Sequence, residues 1–98
     1  MTNIPDQFLE LAALVEKRAA SQAIEKLLSK LRLDCESAVI PAASKEANAA
    51  FVQVQQTLGT WKDVWPRLGP QAEFRLAVAR EARAWANRLK IFRPECGT

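Results

Sequence analysis

Between residues 47 and 65 the apolar side chains Ala47, Phe51, Val54, Leu58, Trp61 and Trp65 recur at i, i+4 and i+7. On an ideal helix turning about 100° per residue they fall within about 80° of arc. A strand would scatter them over both of its faces, so this stretch is read as a helix with one buried side. Ser44 is placed to cap it, Glu46 lies in its first turn, and Pro66 is expected to end it, which gives a helix over 44–65. Gly59 followed by Thr60 and Asp63 resembles a stop and a new capping box. The apolar phase runs through both residues without slipping, so continuity is expected, with Gly59 tolerated at a cost of about 1 kcal/mol relative to alanine.

The rest of the chain has the same character. Its 98 residues include 17 alanines and three glycines, and no stretch alternates apolar and polar residues in the manner of a strand. Ile4, Phe8, Leu11 and Val15 share a helix face, with Pro5 and Asp6 suited to the first turn, so a helix is expected over 5–20. Ile24, Leu27, Leu28 and Leu31 also share a face, but on nearly the opposite side of the same imagined cylinder. That flip predicts a break before a second helix over 21–33, with Ser21 as its cap. Residues 34–43, with Val39, Ile40 and Pro41, lack a stripe and read as a connection; Asp34 and Glu36 are expected there as solvated acids. Beyond the turn Arg67-Leu68-Gly69-Pro70 a last helix is expected over 70–92, with Phe74, Val78, Ala82, Trp85, Leu89 and Phe92 on one face and a disordered tail over 94–98. The fold class predicted is all-α, a compact antiparallel bundle of three to five helices in a single domain.

Composition argues against most chemistries. Without histidine the usual general base and the commonest metal ligand are missing, and three isolated glycines cannot build a phosphate-binding loop. The carboxylates are scattered singly, and Cys35 and Cys96 lack metal-binding spacing. No enzymatic activity, cofactor or metal site is expected. The longest uninterrupted apolar run, Leu11 to Val15, is too short to span a bilayer, and the N-terminal residues lack the basic start of a secretory signal. A cytoplasmic protein with reduced thiols is expected, making no membrane contact.

Two features point to partners. The bulk of the aromatic stripe, Phe51, Leu58, Trp61 and Trp65, suggests a surface that self-associates, most simply as a two-fold dimer, with Trp61 and Trp65 divided between core and partner surface. Charge is also uneven: residues 1–65 carry seven Lys/Arg against eight Asp/Glu, and residues 66–98 carry seven against three, so the net charge of +3 resides in the last third. Arg80, Arg83, Arg88 and Lys90 give the last helix a basic ridge that could meet an acidic protein partner. In an alternative reading they would lie along a nucleic-acid backbone, although Glu73 and Glu81 interrupt the ridge and no base-reading motif is present. The reading is of a small helical protein-protein interaction module, acting by surface complementarity.

Overall fold

Each of the four helices buries the stripe that its sequence provides. A computed structural model describes residues 3–38 and 45–92 and contains α1 (Ile4–Glu16), α2 (Ser21–Glu36), α3 (Lys45–Leu68) and α4 (Ala72–Lys90), with no strand among the described residues. The helices form an all-α antiparallel bundle measuring 38 × 23 × 20 Å.

The first helix starts where its cap dictates. Asn3 Oδ1 accepts the Asp6 amide at 2.8 Å, and Pro5 and Asp6 occupy the first turn. Ile4, Gln7, Phe8, Leu11, Ala12 and Val15 are buried along one side. The helix stops at Glu16, earlier than expected, in a Schellman turn: the Arg18 amide donates to Val15 O at 3.2 Å and the Ala19 amide to Leu14 O at 3.0 Å. Leu14 and Ala19 both pack against the core, completing the motif. The left-handed residue of this turn is Arg18, at φ 55°, where glycine is usual. A side chain there costs about 1–2 kcal/mol.

This turn lets two stripes that are out of phase in sequence face one core. Ile24, Leu27, Leu28, Leu31 and Cys35 are the buried residues of α2. The cap differs from expectation, because Ala20 holds the N-cap position with no side-chain bond and Ser21 is already helical. The far end also differs. Residues 34–36 remain helical because Cys35 extends the stripe by one more turn and is buried, while Asp34 Oδ2 accepts the Gln7 side-chain amide at 2.7 Å. Asp34 therefore serves to tie α2 to α1, and Glu36 lies 4.0 Å from Arg32 on the exposed side of α2. The expected connection at 39–43 and the Ser44 cap lie outside the described residues, as does the tail over 94–98.

The third helix is unbroken through Gly59 and continues past Pro66 to Leu68. Proline lacks the N–H that would bond Lys62 O, yet it lies in the last turn with its ring exposed, and its neighbour Trp65 is 1% exposed. Burial of that indole holds the turn helical, and the Gly69 amide closes it on Trp65 O at 2.8 Å. The approach demands glycine, since a Cβ on Gly69 would lie 2.7 Å from Trp65 O and 3.0 Å from two atoms of the indole. Pro70 stands in the turn and not in the last helix, whose N-cap is Gln71; α4 ends at Lys90, and Phe92 follows as a half-buried residue.

α1 packs most extensively along α4, where Ala12, Ala79, Ala82 and Ala86 are all buried and let the backbones approach. α2 bridges α1 and α3, whereas α3 and α4 touch least, although only a short turn separates them in sequence. Their main tie is at the turn itself, where Trp65 and Phe74 meet at 5.5 Å between ring centres with a 53° tilt.

Candidate interaction surface

The aromatic side of α3 belongs to the intramolecular core. Phe51, Leu58, Trp61 and Trp65 are all buried, Trp61 at 5% and Trp65 at 1% exposure, so the rings that sequence divided between core and partner surface are covered by their own chain. Trp85 is likewise buried.

Arg80, Arg83, Arg88 and Lys90 of α4 are all exposed but do not act as one ridge. Arg83 Nη2 donates to Glu16 Oε1 at the edge facing α1. Arg88 lies over the Trp85 ring, 4.4 Å from its centre, at the edge facing α3. Arg80 projects between these edges and Lys90 lies on the Arg83 side, and neither has an ion pair to another described residue. Two of the four cations are therefore engaged at opposite borders of the helix.

Between α3 and α4 the loose seam opens into two adjoining hollows of about 240 and 380 Å³ that share Gln53, Thr57 and Glu81. Trp85 and Arg88 border one and Trp61 borders the other. Apart from Trp61, the α3 wall carries amides and hydroxyls only.

That wall belongs to a larger feature. From Ala47 to Trp61 α3 carries no charged residue, although 26% of the chain is charged. Burial explains six of these fifteen positions. The solvent side explains none of it: Asn48, Ala49, Val52, Gln53, Gln56 and Thr60 are exposed and Gly59 is half-buried. Val52 is 57% exposed, and open space surrounds the position of a Cβ on Gly59. The hydroxyls are satisfied locally, with Thr57 Oγ1 donating to Gln53 O and Thr60 Oγ1 to Gln56 O, both at 3.0 Å. Their donors need no partner from water, which lowers the cost of covering them. Periodicity in apolar residues does not reveal this face; the signal in sequence is the interval between Glu46 and Lys62, within which no charge occurs.

Chemistry is sparse elsewhere. Among the described residues no group of three or more His, Cys, Asp or Glu could hold a metal ion, and no helix is long and apolar enough to cross a membrane. Cys96 lies outside the described residues. The other large exposed apolar side chains, Leu9, Leu33, Leu76 and Ile91, are distributed over the other helices and the end of α4. No protein-family model, curated protein or solved structure matches this chain.

Proposed function

We propose that this protein is a small helical interaction module that pairs with a second copy of itself through the outward face of α3, acting by surface complementarity and catalysing nothing. The observation that carries the reading is the symmetry of that face. Lys45, Ala49, Val52, Gln56, Gly59 and Asp63 lie within about 80° of one another on the helix. Crossing two copies antiparallel about residue 54 sets Lys45 opposite Asp63, Ala49 opposite Gly59 and Val52 opposite Gln56, each pair occurring twice. A two-fold interface requires such self-complementarity. Val52 and Gln56 flank the crossing point, small residues lie opposite each other five residues to either side of it, and opposite charges meet at both ends. Exposed ion pairs contribute only about 0.2–1 kcal/mol each, so their role is to fix register, while the charge-free centre avoids juxtaposing like charges.

Sedimentation across the micromolar range tests this. The wild type is expected to dimerise. Asp63→Lys, which sets two lysines opposite each other, weakens the dimer, and adding Lys45→Glu restores it. A wild type that stays monomeric at high micromolar concentration, or a double variant no better than the single one, refutes the pairing.

The division of the basic ridge supports nucleic-acid binding less well, since Arg83 and Arg88 already have intramolecular contacts; Arg80 and Lys90 remain for an acidic protein partner. We place the protein in the cytoplasm, a setting that suits the reduced, buried Cys35.

A further inference from the structure

We infer that the hollow where α1 ends and α4 begins binds a small molecule bearing a phosphate or carboxylate, gripped by Arg18 and Arg75. Two adjoining hollows of about 290 and 370 Å³ open there, and Arg18, Ala72 and Arg75 border both. Their size is that of a small-ligand site. The charge balance favours an anion: two guanidinium groups face Glu16, whose carboxylate already accepts a bond from Arg83. Guanidinium groups match oxyanions with paired N–H donors.

The two arginines are prepared differently. Arg75 is half-buried, and its Nε donates to the Gly69 carbonyl, which fixes the plane of the guanidinium and leaves its terminal nitrogens for other acceptors. Arg18 has no hydrogen bond or ion pair from its side chain to another described residue, yet it occupies the left-handed position where glycine would be the least strained choice. A strained residue whose side chain gives the fold no hydrogen bond or ion pair is the kind of outlier that points to a role in binding. Val15 and Leu76 border the first hollow, and Leu76 is largely exposed, so a ligand with a short hydrocarbon body beside its anionic group would cover it. None of these residues lies on α3, so the inference stands or falls apart from self-association.

The test uses inorganic phosphate, phenyl phosphate and butyrate as probes, with chloride at matched ionic strength as the control. Binding is followed by melting temperature and by NMR of the arginine Nε–H groups and the Leu76 methyls. At least one probe is expected to bind saturably to the wild type, and the set that binds tells phosphate from carboxylate recognition. Arg18→Gly, which relieves the strained turn, is expected to melt higher without ligand yet bind about tenfold more weakly or worse, the loss expected for a charge-assisted bond. Arg75→Gln, which keeps a polar side chain but removes the guanidinium, is expected to lose affinity likewise. Equal affinity in the wild type and Arg18→Gly, or no saturable response to any probe, overturns the site.

Discussion

Gly59 and Gly69 show how differently two identical residues can be used. Gly59 lies on the surface of α3 with nothing within 4 Å of a Cβ position, so Gly59→Ala should stabilise the monomer by about 0.5–1 kcal/mol through helix propensity alone. Gly69 abuts the backbone and indole of Trp65, so Gly69→Ala should destabilise it by about 1–3 kcal/mol. Urea titration of the two variants checks the opposite signs, and a stabilised Gly69→Ala would show that the Trp65 turn yields easily. Trp65 is the residue on which this end of the bundle depends. Trp65→Ala should cost about 3–5 kcal/mol, a large share of the about 5–15 kcal/mol that stabilises a typical domain. A loss below about half a kilocalorie in the same titration would make the ring peripheral, contrary to its burial.

At the scale of the helices, what was legible was phase. The flip between Ala19 and Ala23 announced a break, and the structure places it slightly earlier, at residues 17–20; the unslipped stripe through Gly59 announced continuity, and α3 is continuous. What was not legible came from tertiary contacts overriding local signals. Proline at 66 reads as a stop, but a buried indole beside it outweighs its missing bond in a final turn. Asp34 reads as a loop acid, but Gln7 waits for it on another helix. Burial of the α3 rings depends on where the other three helices lie, which no single stripe encodes, and the outward face escaped notice because its signal is a lack of charge. The vacant cap of α2 is a further local matter. Ala20 is exposed, with φ −56° and ψ 139°, and offers no acceptor. Ala20→Ser should therefore raise stability by about 1 kcal/mol, measured as a higher urea midpoint at unchanged slope.

For the molecule as a whole, the order of helices around the bundle matters more than any one of them. Going from α4 to α1 to α2 to α3, every step is a packed interface, and the circuit is left loosely closed between α3 and α4. The open seam leaves the outward side of α3 reachable, and the tight α1–α4 pairing shapes the arginine-bordered hollow at its end. That pairing also couples the helices most distant in sequence. A ribosome adding about 5–20 residues per second needs about 3–11 s to make residues 17–71, and only then does the main companion of α1 begin to emerge. Throughout that interval the nascent chain carries Phe8, Leu11 and Val15 without their final cover, so synthesis itself is when this protein is most open to capture by chaperones or by its neighbours.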